Sequence, residues 1–144
     1  MLKEYEYIDF KTINEDWNEY EIEDGTKLKI KFVMAKILRK KIPGGYDFRF
    51  NSNNVISVHS TKIHEPADRK YMPQELIDSI IKMDMNYKVE KEVWNKYQIK
   101  KDKSEIMVKL VIASIQKSSK YDEFGDPYYN IKAQPIFKAA PKKR

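Results

Sequence analysis

A mainly β fold, a barrel or sandwich with one connecting helix, is predicted by three observations. A segment of sequence occurs twice, both copies alternate apolar and polar residues with a period of two, and turn-forming residues separate the alternating runs. With 144 residues the chain suits one hydrophobic core, so the two copies are expected to share it as a pseudo-two-fold single domain.

The repeat is seen in Ile8–Ile22 (IDFKTINEDWNEYEI) against Met85–Ile99 (MNYKVEKEVWNKYQI). At a constant offset of 77, Lys11/Lys88, Glu15/Glu92, Trp17/Trp94, Asn18/Asn95, Tyr20/Tyr97 and Ile22/Ile99 are identical. One residue is then inserted, and Leu28–Ile37 (LKIKFVMAKI) lies over Ile106–Ile115 (IMVKLVIASI). The insertion falls where a turn belongs.

In the first copy Tyr20 and Ile22 alternate with Glu19, Glu21 and Glu23, and Leu28, Ile30 and Phe32 alternate with Lys27, Lys29 and Lys31. Between them, Glu23-Asp24-Gly25 suits a three-residue loop with glycine in the left-handed position, which sets the hairpin register. Tyr20 should then oppose Leu28 and Asn18 oppose Ile30 on the inner face, with Glu21 against Lys27 and Glu19 against Lys29 outside. In the second copy the loop is Lys100-Lys101-Asp102-Lys103, and Lys96 should face Met107.

Both long strands change phase at equivalent places. Apolar parity holds through Met34 and passes to Ile37 after Lys36; in the copy it holds through Ile112 and passes to Ile115 after Ser114. A bulge or a strand crossing between sheets is expected at both. The strands end in tips at Lys41–Gly45 and Tyr121–Pro127. A third strand then covers Tyr46–Phe50 in one copy and about Tyr128–Phe137 in the other, where Pro135 indicates an edge or bulged strand. The connection holds the expected helix, Pro73–Met83, with Pro in its first turn and apolar pairs at Leu76/Ile77 and Ile80/Ile81. These elements give repeat one over about 8–59, a connection over about 60–84, repeat two over about 85–138 and a basic tail over 139–144, with about three strands per repeat.

Charge is unevenly distributed along the chain. Nine acids against two bases put residues 1–25 at −7, and 26 bases against 13 acids put residues 26–144 at +13. A basic excess of this kind suits an anionic partner. The absence of cysteine rules out disulfides, thiolate metal sites and a cysteine nucleophile. The acidic start and the lack of a long apolar run read as a cytoplasmic protein without a membrane span.

No nucleophile–base pair, paired-carboxylate signature or phosphate loop is present in the sequence, so no catalytic residue, cofactor or metal ligand is assigned. His59 and His64 match no metal-binding spacing, and Asp122, Glu123 and Asp126 read as turn formers rather than a cation loop. The repeated Trp-Asn pairs read as core tryptophans with asparagines bonded to local backbone. A small-molecule or unrecognised enzymatic site between Trp17 and Trp94 is the third functional reading.

The leading expectation is a non-enzymatic module binding nucleic acid or a ribonucleoprotein. Arg39, Lys40 and Lys41 flank one tip, Lys100, Lys101 and Lys103 form a turn, and Lys142, Lys143 and Arg144 end the chain. Lys117 and Lys120 are interleaved with Tyr128 and Tyr129. Such mixtures serve backbone neutralisation and base stacking. The second reading is a protein-interaction or self-assembly module in which the acidic first 25 residues of one chain meet the basic surface of another. Function is expected where the copies differ: the Lys100–Lys103 turn, the Asp122–Pro127 tip and the tail.

Overall fold

A computed structural model describes residues 4–140. Among these residues, ten strands form two five-stranded antiparallel sheets, joined by a short helix. Strands β1 (Glu6–Ile8), β2 (Phe10–Asn14), β3 (Trp17–Ile22), β4 (Lys27–Ile42) and β5 (Gly45–His59) precede helix α1 (Pro73–Asp78). Strands β6 (Ile80–Lys82), β7 (Tyr87–Lys91), β8 (Trp94–Ile99), β9 (Glu105–Tyr121) and β10 (Pro127–Ala140) follow. No helix among the described residues is long and apolar enough to cross a membrane.

The predicted register of the first hairpin is the one observed: Tyr20 pairs with Leu28, Asn18 with Ile30, Glu21 with Lys27 and Glu19 with Lys29. Lys96 faces Met107. Gly25 has φ +89°, and Ile22 and Gly25 close the three-residue loop through Ile22 N–H to Thr26 O (2.8 Å) and Gly25 N–H to Ile22 O (2.8 Å). In the longer second loop the left-handed position is taken by Lys103 at φ +63°. Both phase changes are bulges, with Ala35 extra in β4 and Ala113 extra in β9. Each lets the apolar parity step over by one, so that Ile37 and Ile115 stay buried.

The sheets exchange strands. β2 leaves its own half to pair with β8, and β7 crosses the other way to pair with β3, so one sheet runs β5-β4-β3-β7 and the other β10-β9-β8-β2. β1 and β6 add to the far parts of β4 and β9. Each half therefore contributes five strands rather than three, because the short segments before β3 and β8 find partners far along the chain. Tyr20, Ile22, Leu28, Ile30 and Phe32 from one sheet and Tyr97, Ile99, Ile106, Val108 and Leu110 from the other make one buried cluster.

Three element boundaries differ from expectation. The helix stops at Asp78 because the Ser79 hydroxyl donates to Leu76 O (3.0 Å) and lies 2.7 Å from Ser118 Oγ. The β-branched Ile80 and Ile81 then extend along β9. β5 runs to His59, nine residues past Phe50, because the alternating side of β4 supplies it with partners back to Lys27. Ala139 and Ala140, read as the start of the tail, are the last residues of β10, opposite Ile106 and Glu105. Pro135 does lie in an edge strand, since among the described residues β10 pairs only with β9.

Candidate functional site

The two long hairpins run in opposite directions, and an aspartate in the first turn of each fixes the base of one to the tip region of the other. Arg39, near the end of β4, donates from Nη1 to Asp102 Oδ2 at 2.8 Å. Ser104 donates to the other oxygen from its backbone N–H (3.0 Å) and its hydroxyl (2.6 Å). At the opposite end Lys117 Nζ (2.8 Å) and the Tyr129 hydroxyl (2.6 Å) donate to Asp24 Oδ2. Thr26 N–H donates to Asp24 Oδ1 at 3.0 Å. Burial raises both carboxyl pKa values, but these donors outweigh it and hold Asp24 and Asp102 down at about 2. Burial and the Asp24 carboxylate push Tyr129 upward.

Between the ends, the halves are tied together through the β2–β3 and β7–β8 connections. Tyr20 donates to Glu92 (2.8 Å) and Tyr97 to Glu15 (2.6 Å), and burial followed by these carboxylates drives both phenols well above the ordinary value. Asn18 donates to Leu110 O (2.8 Å) and accepts from Val93 N–H (2.9 Å), while Asn95 accepts from Asp16 N–H (3.0 Å). The asparagines thus bond backbone of the opposite half, not local backbone. The tryptophans are not core residues either. Trp17 and Trp94 have the parity opposite to Asn18 and Asn95, are half-buried on the outer face, and lie under Lys31 and Lys109, each 5.9 Å from the ring. Neither lines the clefts formed by Glu21–Lys88 and by the 60–80 segment.

The fold cancels most of the charge asymmetry along the chain. Eight of the nine acids in residues 1–25 lie within 4.0 Å of a cation of this same chain, four of them against Lys40, Arg39, Lys100 and Lys117. The acidic segment is therefore already partnered within the molecule. Arg39 is buried at 3% exposure, and Lys117 is half-buried against Asp24 and the Tyr129 ring.

The sequence-assigned residues fall at two opposite ends. One end gathers Arg39, Lys40 and Lys41 with the Lys100–Lys103 turn; Lys41, Lys101 and Lys103 are exposed there, and no ion pair involves them among the described residues. The same end carries tyrosines not assigned from sequence. Tyr5 lies under Lys40 and Arg49, Tyr7 under Lys36, and Tyr46 under Arg39 at 4.0 Å. Tyr7 is 70% exposed and Tyr46 40%. Their pairing with cations in β4 and β5 follows from the β1–β4 register, which has no local signal in the sequence.

No protein-family model, curated protein or solved structure matches this chain.

The other end holds Lys117, Lys120, Tyr128 and Tyr129 and is more acidic. Residues 60–79 fold over the β9–β10 tip: Ser60 N–H bonds Asp126 (3.0 Å), His64 N–H bonds Gly125 O (3.1 Å) and Ala67 N–H bonds Asp122 O (3.0 Å). Tyr71 meets Tyr128 edge-on, Lys120 lies 5.4 Å from the Tyr71 ring, and Arg69 is held by Glu75. Glu75 is drawn down to about 2, first by that Arg69 bond and then by Met72 N–H. Asp68, Asp122 and Glu123 line the same cleft together with Arg69 and Lys70. Asp122 accepts from Phe124 and Asp126 N–H within its own turn. His59 bonds Ser57 and His64 stacks on Tyr121, and no group of three or more His, Asp or Glu side chains converges among the described residues. Lys142, Lys143 and Arg144 lie outside the described residues.

Proposed function

We propose that this protein is a non-enzymatic binding module that takes single-stranded nucleic acid on its aromatic, basic end. The observation that carries the reading is the clustering of exposed Lys41, Lys101 and Lys103, none of them ion-paired among the described residues, around the Arg39–Asp102 pair and Tyr46, the strand partner of Lys41. Lysines in that state neutralise phosphates, and exposed rings offer stacking faces to unpaired bases. At the other end Lys117, Arg69 and Lys120 are already engaged by Asp24, Glu75 and the Tyr71 ring, which favours the residues near the β4–β5 tip as the site. A cytoplasmic setting fits this reading, as does a chain without cysteine.

The two halves are read as copies of one unit. Supporting this are the matched strand order of the two sheets, the bulges at Ala35 and Ala113, and the equivalence of Asp24, Thr26 and Lys117 with Asp102, Ser104 and Arg39 in the opposite clasp. The exposed lysines of the longer second turn belong to only one copy.

Titration of labelled single-stranded RNA and DNA across salt concentrations tests the function. Binding is expected to weaken with salt, and Lys41→Glu/Lys101→Glu/Lys103→Glu should make the slope shallower by about 2 in log–log form, at ~0.7 per phosphate contact. Tyr46→Ala should weaken binding by ~1–3 kcal/mol without changing that slope. Absence of binding at low salt, or an unchanged slope in the triple variant, would sink the proposal.

A further inference from the structure

We propose that the outer edge of β5 pairs with the same edge of a second copy, making an antiparallel two-fold dimer. Residues 50–60 (FNSNNVISVHS) contain no Asp, Glu, Lys or Arg, although charged residues make up 35% of the chain. Most of this run lies in a strand that, among the described residues, pairs on one side only, with β4. Asn51, Asn53, Asn54, Val55 and Ile56 are exposed, the last two at 45% and 47%.

Exposed edges ordinarily carry features that prevent pairing: charge, proline, a bulge or brevity. The other edges here have them. β10 carries Lys132, Pro135 and Lys138, β7 carries Lys88, Glu90 and Lys91 in five residues, β2 is five residues long with Lys11, and β1 and β6 have three residues each. β5 has none between Phe50 and His59, and the Ala35 bulge lies in β4, which leaves β5 continuous.

The absence of charge selects the occupant. A foreign strand could complement charges on β5, whereas a two-fold antiparallel pair sets the residue on its axis against its own image and brings residues beside the axis close to their own copies, so a charge there would meet a like charge. With the axis at Val55, residue 50 meets 60 and 53 meets 57. The first charges beyond the run, Arg49 and Lys62, then meet Thr61 and Phe48. An uncharged run symmetric about its centre is what self-pairing requires. The nine residues from Asn51 to His59 would span about 30 Å and exchange roughly one backbone hydrogen bond per residue.

Sedimentation velocity of the full chain across a wide concentration range is expected to show a monomer–dimer equilibrium. Val55→Lys and Val55→Glu should each be monomeric, with circular dichroism matching the parent, and an equal mixture of the two should recover the dimer. That recovery also shows that both variants fold. A parent that stays monomeric, a dimer indifferent to both variants, or a mixture that stays monomeric would overturn the proposal.

Discussion

Gly125 turns the β9–β10 tip at φ +86°, and a Cβ added there would collide with the carbonyl oxygen of His64 and approach Ile63 Cγ2 at 3.1 Å. Gly44 turns the opposite tip at the same φ with open space around it. The pair separates backbone strain from collision. Gly44→Ala should cost ~1–2 kcal/mol from the left-handed conformation alone, and Gly125→Ala should cost more, because the His64 backbone must also move. Urea unfolding of both variants measures the difference, and equal losses would show that the 60–72 segment yields freely. Asn18 gives a second comparison at this scale. Its amide serves Leu110 O and Val93 N–H in a site 3% exposed, so Asn18→Ala leaves both backbone groups unpaired and should cost ~2–4 kcal/mol.

The paired turns show what sequence reveals about an element and what it hides. The β3–β4 register, the left-handed Gly25 and both bulges were legible because strand periodicity and turn chemistry are local. The exchange of β2 and β7 was not legible, since a five-residue strand carries no mark of a partner some eighty residues away. Nor was the fate of Arg39 and Lys117, which look like free cations until the opposite hairpin brings Asp102 and Asp24 against them. The same pairing predicts an acid limb of stability. Asp24 and Asp102 have folded pKa values of about 2, below the ordinary 3.8, so the unfolded chain binds more protons as pH falls through this interval. Their contribution is complete above about pH 5 and disappears progressively toward pH 2. Asp24→Asn/Asp102→Asn should therefore be less stable than the parent at neutral pH and should lose less between pH 4 and 2, as followed by urea midpoints. Parallel pH profiles for the two proteins would contradict this assignment.

At the scale of the whole molecule, strand exchange makes the halves interdependent. β3 has β7 as its outer neighbour and β8 has β2, the Tyr–Glu and Asn–backbone bonds all run between halves, and one buried cluster draws on both sheets. A fragment ending at residue 66 would keep β3, β4 and β5 but expose the inner faces of Tyr20, Leu28, Ile30 and Phe32, and its β2 would lack β8. A fragment beginning at residue 67 would suffer the reciprocal loss. Burial of these side chains contributes ~1.5–3 kcal/mol each, so losing several exceeds the net stability of an ordinary domain. The intact chain should unfold in one cooperative transition by fluorescence of its two tryptophans and by circular dichroism, with coincident midpoints. Each fragment alone should show no cooperative melt, and co-expression of the two should restore one. A cooperative transition in either isolated fragment would mean that its half can stand without the exchanged strand, and that the hydrogen bonds between Asn18, Glu15 and their opposite-half partners join two units already folded.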